Sequence, residues 1–255
     1  MKKETARKIL QETEQGYDLI SGKFSATRKN FWGSLEFIGD YTQNGDNILD
    51  FGCGNGRLLE ILKNKKIEYY GADVSKELLQ LGRARYLNTD LNVHFSKLDP
   101  LLTSLAFKSD FFNVVYSIAT FHHFPGRDYR LAMAKELYRV CASGGHVVIT
   151  VWNLHQKKYF KNILRNWKNK IFFKSELDWN DCYISFTDNQ GKKFNRYHHA
   201  FTLLELKMLF GQAGFEIEKA QKVKNNLVIV GKKTKLATVP LTQSELTGTA
   251  SQVSA

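Results

Sequence analysis

The chain has 255 residues, of which 43% are hydrophobic, enough for one α/β domain with a substantial core and an elaboration on it. Its formal net charge of +12 favours a polyanion such as nucleic acid, or an acidic membrane surface, unless the lysines only keep the protein soluble. Three cysteines without ligand spacing exclude a disulfide framework and a structural zinc site, and no metal is expected.

No segment has the pattern of a signal peptide or a membrane span. The amino terminus is polar throughout, and the longest apolar runs, such as Val147 to Trp152, have only the length of a strand. The sequence therefore predicts a cytoplasmic protein that does not interact with membranes.

The first predicted element is an amino-terminal helical cap, residues 1–46, which precedes a turn at Asn44-Gly45. Its pattern is amphipathic, and an amphipathic helix buries its apolar side. Four residues of the cap are expected to contact the core: Ile9, Leu10, Leu19 and Ile20.

Strand and helix patterns then alternate as far as Trp152. Strands are predicted at Asn47 to Phe51, Glu68 to Asp73, Val93 to Ser96, Phe112 to Ile118 and His146 to Trp152. Helices are predicted between them at Arg57 to Lys63, Lys76 to Tyr86 and Tyr129 to Val140. Strands separated by helices predict a mostly parallel sheet that is covered by helices on both faces.

The remainder is less uniform. Residues 153–200 break the alternation and are expected to be the least regular part of the ordered chain. Thr202 to Glu205 has the form of a capping box and opens a helix that ends at Gly214, before closing strands at Phe215 to Ala220 and Leu227 to Val230. The tail, residues 236–255, is rich in Thr, Ser and Gln and is expected to be disordered.

A glycine-rich loop, Asp50 to Gly56, follows the first strand and precedes a helix, a context in which backbone can approach a nucleotide-like ligand. Its spacing is G-x-G-x-G, and Arg57 stands where a dinucleotide-binding loop has its third glycine, which disfavours NAD and FAD. Asp73 ends the second strand, where a carboxylate can accept both hydroxyls of a ribose. The alternative is that the glycines merely end a strand and the acid caps a helix.

From about Asn47 to Val230 the chain resembles the class I S-adenosylmethionine-dependent methyltransferases, whose first motif is D-x-G-x-G-x-G. The resemblance implies a Rossmann-like sheet of seven strands, a methyltransferase domain over residues 47–232, and S-adenosylmethionine as cofactor. It implies contacts with the cofactor from Tyr17, Asp50, Gly52, Cys53, Gly54, Asn55, Gly56, Asp73, Val74, Asp99 and Ile118.

Within that set, the resemblance assigns Asp50 and the loop to the methionine portion, Asp73 to the ribose and Val74 to the adenine. Asp99 is the candidate for the adenine amino group, although Pro100 after it has no N–H to offer and a plain turn acid is the alternative. Tyr17 is expected to close over the cofactor, or else to pack as an ordinary helix residue.

Four segments resemble a narrower family, the tRNA methyltransferases that esterify the carboxymethyl group of a wobble uridine. They are Tyr17 to Arg28 with Trp32, Ser117 to His123, Val151 to Gln156, and Arg196 to Phe201. The chain departs from that family at three positions, with Gly33 in place of proline, His155 in place of an acid and His198 in place of tyrosine.

Between His155 and His198 the chain is basic and aromatic. This segment contains ten Lys or Arg residues, Lys192 among them, but only four acids. Ten aromatic residues are interleaved with the basic ones. This composition suits a surface that neutralises phosphates and stacks bases, while the alternative is a small satellite core with a solvated face. RNA, tRNA above all, is the expected partner.

His122 and His123 follow the fourth strand, at the edge of the sheet where open α/β folds bind ligands, and are the catalytic candidates. A carboxylate acceptor is already ionised, so these histidines are expected to orient it rather than to remove a proton. Arg28 and Arg196 are expected to contact a carboxylate or phosphate, unless they form ordinary surface ion pairs. Further substrate contacts are predicted at Trp152, Tyr197 and His198.

Three functional hypotheses follow. The first is a methyltransferase acting on a tRNA wobble uridine, for which the resemblance suggests a small activating protein partner. The second is a small-molecule O-, N- or C-methyltransferase, in which residues 153–200 form a lid over a metabolite. The third is a non-catalytic, cofactor-binding scaffold of an RNA-modifying complex.

Overall fold

The computed structural model describes residues 1–28, 30–188, 190–191 and 193–234. Lys192 and the tail, residues 236–255, for which disorder was expected, lie outside the described residues. The α-helices are α1 (Lys3–Ala26), α2 (Leu59–Leu62), α3 (Lys76–Tyr86), α4 (Arg127–Val140), α5 (Lys157–Ile171) and α6 (Leu203–Ala213). Two short 3-10 helices span Gly33–Tyr41 and Phe121–His123.

Strands form one large sheet and one hairpin. The strands are β1 (Asn47–Phe51), β2 (Glu68–Asp73), β3 (Asn92–Lys97), β4 (Phe112–Ile118), β5 (Cys141–Trp152), β6 (Asp181–Thr187), β7 (Lys193–His199), β8 (Glu216–Val223) and β9 (Asn226–Lys232). The sheet has seven strands in the order β3-β2-β1-β4-β5-β9-β8. β9 runs antiparallel to both of its neighbours, whereas β1 to β5 pair in parallel. The predicted fold class is confirmed.

Strand alternation divides the core between the two faces of the sheet. Leu49 and Val115 belong to the cluster that packs with α4 and α6, whereas their chain neighbours Ile48 and Val114 belong to the cluster with Leu59. Successive side chains of a strand point to opposite faces, so a strand that is apolar at every position is buried on both. This explains why the strands read as continuous apolar runs.

Local signals set the limits of the later helices. The Thr202 hydroxyl accepts a hydrogen bond from the Glu205 N–H at 3.1 Å, and α6 ends at Gly214, whose φ is +115°. A Cβ at Gly214 would also lie 2.9 Å from the Tyr138 ring. The Thr202 cap and the terminal glycine therefore act as the sequence predicts, whereas the Glu205 carboxylate, the other half of a capping box, pairs with His199.

The amino-terminal helix packs along one narrow stripe. Ile9, Leu10 and Ile20 are buried, but Leu19 is 45% exposed, so its predicted core contact is wrong. Nine residues at about 100° each place Leu19 on the opposite side of the helix from Leu10, so Leu19 points away from the buried side. No helix among the described residues is long and apolar enough to span a bilayer.

Residues 153–200 are more regular than predicted. They fold into α5 and the antiparallel hairpin β6–β7, which enclose a small core of their own. The core consists of Leu154, Ile163, Cys182, Ile184 and Ala200. The hairpin was not predicted because polar or charged residues occupy both sides of β7, where Arg196, His198 and His199 are buried, so this strand lacks the alternation of apolar and polar residues.

Candidate functional site

The loop after β1 turns sharply enough to require glycine. Gly52, Gly54 and Gly56 have φ values of +78°, +55° and +76°, in the left-handed region that other residues rarely adopt. A Cβ at Gly52 would lie 2.2 Å from the hydroxyl oxygen of Thr120, so at this position the close approach of β4 also excludes a side chain. The loop therefore exposes its backbone to the space above the sheet.

That space is a cavity of about 270 Å³ at the carboxyl ends of β1, β2 and β4, closed on one side by α1. Most of the residues that the sequence singled out line it: Tyr17, Arg28, Asp50, Gly52, Cys53, Gly54, Asn55, Asp73, Val74, Asp99, Ile118, His123, Trp152 and Arg196. Cofactor and substrate candidates thus share one cavity.

Four predicted site residues do not line this cavity. Gly56 is turned toward the aromatic residues behind the loop, and its carbonyl accepts a hydrogen bond from the Tyr86 hydroxyl. His122, Tyr197 and His198 are buried, in a layer behind His123. The sequence placed these residues at the right edge of the sheet but could not tell which of them reach the opening.

Two carboxylates stand at the loop. Asp50 accepts a hydrogen bond from the Tyr69 hydroxyl at 2.6 Å, and burial raises the pKa of Asp50 to about 7. Asp73 accepts the N–H groups of Gly54 and Ser75 at 2.7 and 2.8 Å, and burial raises the pKa of Asp73 to about 6. Both acids lose solvation here, and the charge of Arg57 offsets this only in part at Asp50, so a ligand that brings a positive charge or hydroxyl donors would favour their ionised forms.

Asp99 lies at the exposed rim of the cavity. One oxygen accepts the Leu101 N–H at 2.8 Å, which closes a local turn, and the Pro100 carbonyl is taken by the Tyr129 hydroxyl at 2.9 Å. The turn role weighed from the sequence is therefore present, and the second carboxylate oxygen has no recorded hydrogen bond within the described residues.

A hydrogen-bonded chain connects the cap to the hairpin through His123. The His123 Nδ1–H donates to the Tyr197 carbonyl at 2.8 Å, which leaves Nε2 to accept from the Tyr17 hydroxyl, also at 2.8 Å. Burial lowers the pKa of His123 to about 3. The ring is therefore neutral and both its nitrogens are occupied, an arrangement that orients Tyr17 and offers no free base.

His122, His123 and His198 form a cluster of buried imidazoles whose ring nitrogens lie within 4.8 Å of one another. The rings of His122 and His198 are nearly parallel, with an interplanar angle of 8° and centroids 5.0 Å apart. Their lone pairs lie in the ring planes and so do not converge, and His123 has no free nitrogen. The observed cluster fits a packed layer better than a metal site, which needs converging ligands.

Cations gather at the other end of the cavity. The guanidinium carbons of Arg196 and Arg28 lie 5.2 and 6.0 Å from the centre of the Phe186 ring, and the Lys23 ammonium lies 5.6 Å from it. Within the described residues, neither arginine forms an ion pair with a carboxylate, and the Nε of Arg196 has no hydrogen-bond partner although Arg196 is only 5% exposed. Burial and the charge of Arg196 lower the pKa of Arg28. These cations around Phe186 are therefore a candidate binding site for an anion.

Sequence reasoning missed several residues of the site. Arg57 lines the cavity with its guanidinium carbon 3.5 Å from the centre of the Trp32 ring, and burial lowers the pKa of Arg57 to about 10. Thr120 and Lys97 also line it. The position of Arg57 directly after the glycine loop was the one available signal, whereas Trp32 and Lys97 meet the loop only in the folded chain.

The residues around the glycine loop fit an adenosyl sulfonium ligand. Exposed loop backbone, two buried carboxylates and the apolar side chains of Val74, Leu98 and Ile118 line the same end of the cavity. Carboxylates suit ribose hydroxyls and an amino group, and apolar walls suit a purine. The arginines stand where a second, anionic molecule would meet that ligand.

Comparison with known proteins agrees with this geometry. A family model described as a methyltransferase domain matches residues 27–220. A Xenopus tropicalis protein named tRNA (carboxymethyluridine(34)-5-O)-methyltransferase is 37% identical over 149 residues, which cover 57% of this chain and 22% of that protein. A Schizosaccharomyces pombe protein of the same name is 26% identical over 231 residues, which cover 86% of this chain and 95% of that protein. In contrast to the Schizosaccharomyces pombe protein, the matched segment spans only 22% of the Xenopus protein, 25% of a relative of that name from Macaca fascicularis and 34% of one from Arabidopsis thaliana.

Solved structures share the fold. A methyltransferase from Methanosarcina mazei matches with a TM-score of 0.65 at 22% identity, over 80% of this chain and 99% of that one. A chain of the complex that contains the Haloferax volcanii Trm112 methyltransferase activator matches with a TM-score of 0.64 at 17% identity, over 88% of this chain and 98% of that one.

Proposed function

The chain belongs to the S-adenosylmethionine-dependent methyltransferase family, and from this premise we propose that it methylates the carboxymethyl group of a tRNA wobble uridine. The observation that carries the proposal is the pair Arg28 and Arg196, two cavity-lining guanidinium groups without a carboxylate partner among the described residues. A guanidinium pairs bidentately with a carboxylate, which is the acceptor group of the proposed reaction.

Residues of the loop end would hold the cofactor. Asp73 would accept the ribose hydroxyls, Asp50 and the loop backbone would face the methionine portion, and Val74 would lie against the adenine. S-adenosylmethionine, when bound, supplies a methyl group activated by its sulfonium. Tyr17 and α1 close this end from above and limit the entry of water.

The acceptor carboxylate needs orientation and no base. The bound sulfonium would supply its methyl group to one of the carboxylate oxygens and leave as the neutral thioether, while the residues of this chain would only hold that oxygen in line with it. A carboxylate is ionised at neutral pH, so no proton leaves it. A neutral His123 whose nitrogens are both occupied is consistent with this reaction, because its part is to position Tyr17.

The relatives' names support the tRNA substrate. The Schizosaccharomyces pombe protein is similar across nearly its whole length, so the likeness extends beyond the cofactor loop to the cap and the hairpin. We also propose a small activating protein as partner, on the likeness to the chain of the Trm112-containing complex.

The decisive experiment measures methyl transfer to anticodon stem-loops that carry either carboxymethyluridine or uridine at the wobble position. We expect label only in the carboxymethyl stem-loop, and mild alkali should release it as methanol because the product is an ester. Alkali-stable label would indicate transfer to nitrogen, carbon or a ribose oxygen. Absence of transfer to any RNA, with and without an activator, would favour the small-molecule or the scaffold hypothesis.

Arg196→Lys tests the acceptor end of the site. Lysine keeps the positive charge but loses the planar fork, so we expect kcat/KM for the carboxymethyl stem-loop to fall roughly 10- to 150-fold, the equivalent of about 1.5–3 kcal/mol for a charged hydrogen bond. Cofactor affinity should stay the same. The matched control is Arg127→Lys on the exposed side of α4, and equal losses in both variants would contradict the assignment.

A further inference from the structure

Helix α5 carries an uncompensated row of positive charge. Between Lys157 and Ile171 it has six Lys or Arg residues and no acid. Lys157, Lys161, Arg165 and Lys168 follow one another at intervals of four, four and three residues, so they share one side of the helix. Like charges at this spacing destabilise an isolated helix, and α5 therefore keeps them at a cost to its own stability.

The cations of this row are not neutralised by ion pairs within the described residues, although Arg165 lines a groove that also contains Glu4, Glu12 and Glu176. Lys157, Lys161, Arg165 and Lys168 are exposed, and none of them forms an ion pair with any acid in the part of the chain that the structure describes. On the opposite side of α5, Ile163 is buried against the hairpin and Asn166 is buried against the segment that precedes β6. The side of α5 that a partner can reach is therefore centred on the cations.

Aromatic and apolar side chains border the row. Phe160, Leu164 and Ile171 are 39%, 43% and 62% exposed along one edge of α5, and Phe172 and Phe173 continue them past its end. Exposed rings beside cations provide stacking faces next to phosphate contacts. Exposed large hydrophobic residues in one place also mark an interaction surface rather than scattered surface variation.

Ring contacts connect the first turn of α5, where the row begins, to the cavity. Trp152 lines the cavity and stacks on Tyr159 with an interplanar angle of 25° and ring centroids 6.2 Å apart. The Arg196 guanidinium carbon lies 5.4 Å from the Trp152 ring, and the Lys158 ammonium lies 5.2 Å from the Tyr159 ring. Cations and rings thus alternate from the proposed acceptor site to the first turn of α5.

We propose that the exposed side of α5 binds the RNA strand next to the acceptor nucleotide, with phosphates on the cation row and unpaired bases against Phe160 and Phe173. The identity of the acceptor rests on the proposed function, whereas binding of RNA by α5 does not. An anionic bilayer would need a broad apolar face, whereas Ile163 is packed on the hairpin and the exposed apolar residues form only one edge of α5, so RNA is the occupant we propose and a membrane is an outcome of the test.

The test compares RNA affinity at several salt concentrations, using a fluorescent, unmodified anticodon stem-loop. The triple variant Lys161→Glu, Arg165→Glu, Lys168→Glu reverses three of the four charges of the row and leaves only Lys157. The control Lys63→Glu, Lys135→Glu, Lys222→Glu makes the same change in net charge at exposed positions on α4, β8 and the turn after α2. Thermal unfolding of both variants shows whether each retains the fold.

We expect the α5 variant to lose at least about tenfold in affinity and to reduce the salt slope by about two, since each phosphate contact to a single strand contributes about 0.7. The control should lose much less. Equal losses in both variants, or no loss in the α5 variant, would overturn the proposal. Binding to vesicles with phosphatidylserine that depends on α5, together with unchanged RNA affinity, would overturn it in favour of a membrane.

A second measurement separates this proposal from the proposed function. With a carboxymethyluridine trinucleotide, too short to reach along α5, the α5 variant should transfer methyl groups as fast as the wild-type protein. If neither protein transfers to any acceptor, the proposed function fails, while the comparison of RNA affinities still decides the role of α5.

Discussion

Asp50 and Asp73 combine deep burial with a place on the wall of the cavity. Burial raises the pKa of Asp50 to about 7 and that of Asp73 to about 6, and the charge of Arg57 offsets only part of the lost solvation of Asp50. A ligand that brings an ammonium or hydroxyl donors favours the ionised forms. The affinity for such a ligand and the stability of the free protein should therefore respond to pH in opposite directions.

Cofactor affinity should rise with pH between about 5 and 8. Below its folded pKa each carboxyl is protonated, so we expect the association constant to fall by up to about tenfold per pH unit for each carboxyl. Calorimetric titration with S-adenosylhomocysteine between pH 5 and 8 measures this. Asp50→Asn should bind more weakly at pH 8 and show a shallower dependence. An affinity of the wild-type protein that does not change with pH would contradict the assignment of both acids.

The stability of the protein without cofactor should instead decrease as pH rises. Both folded pKa values lie above the unfolded value of 3.8, so the folded state takes up more protons between about pH 4 and 7. By linkage, the stability contribution of these groups falls as pH rises through that window. Scanning calorimetry should therefore give a smaller decrease of Tm with pH for Asp50→Asn than for the wild-type protein.

Because His123 stays neutral, we expect kcat to be independent of pH over the working range. Its pKa of about 3 keeps the ring neutral throughout the working range, and a carboxylate acceptor needs no base. We expect kcat with saturating substrates to be constant from pH 6 to 9. A bell-shaped profile centred near pH 7 would instead indicate a titrating acid or base and would remove the positioning role assigned to His123.

At the scale of elements, the turn from β1 to α2 shows that glycines of one loop have different reasons to be glycine. Gly52 combines a positive φ with a neighbour 2.2 Å from a would-be Cβ, whereas the nearest atom to a Cβ at Gly54 is 3.8 Å away. Of these two glycines, only Gly52 has a neighbouring segment so close that a side chain would clash with it. Backbone strain is common to both.

Gly52→Ala and Gly54→Ala should therefore differ. Gly54→Ala should cost about 1–2 kcal/mol of unfolding free energy for its left-handed backbone. Gly52→Ala should cost clearly more and abolish cofactor binding, because β4 or the loop must move to relieve the clash with Thr120. Urea unfolding and calorimetric titration of both variants test this, and equal effects would show that the loop yields without displacing β4.

At the scale of the whole molecule, His199 connects the hairpin to helix α6, which packs on the main sheet. Its two ring nitrogens lie 2.7 Å from Asp181 on β6 and 2.7 Å from Glu205 on α6, and Arg130 approaches Glu205 at 4.0 Å. The two carboxylates raise the pKa of His199 despite its burial. The hairpin that this network holds also supplies Arg196 and the carbonyl that fixes His123.

His199→Gln should therefore destabilise the protein in a pH-dependent manner. The folded pKa lies above the unfolded value of 6.5, so the stabilising contribution is complete below about pH 6.5 and disappears as pH rises through the folded pKa. The difference in Tm between wild type and His199→Gln should be larger at pH 6 than at pH 9. A difference that grows with pH would show that His199 is neutral in the folded protein.

Prediction from sequence succeeded where the signal is local. β2, α3 and β4 have the predicted bounds, because an apolar run or a helical period is complete within the segment itself. It failed for Leu19 and for residues 153–200, where burial depends on distant parts of the chain. Residue type located His122, Tyr197 and His198 at the correct edge of the sheet, but packing decided that they stand behind the cavity wall.

By itself the sequence determined the Rossmann-like sheet, the glycine loop with its two acids, and the residues that resemble a methyltransferase, because each depends on neighbours in the chain. Only the tertiary structure decided that Arg28 from the end of α1 and Arg196 from β7 meet around Phe186 without an acid. It also decided that both ring nitrogens of His123 form hydrogen bonds within the protein. Such features depend on distances between residues far apart in the chain, 74 positions for His123 and Tyr197 and 106 for Tyr17 and His123, which local patterns do not contain.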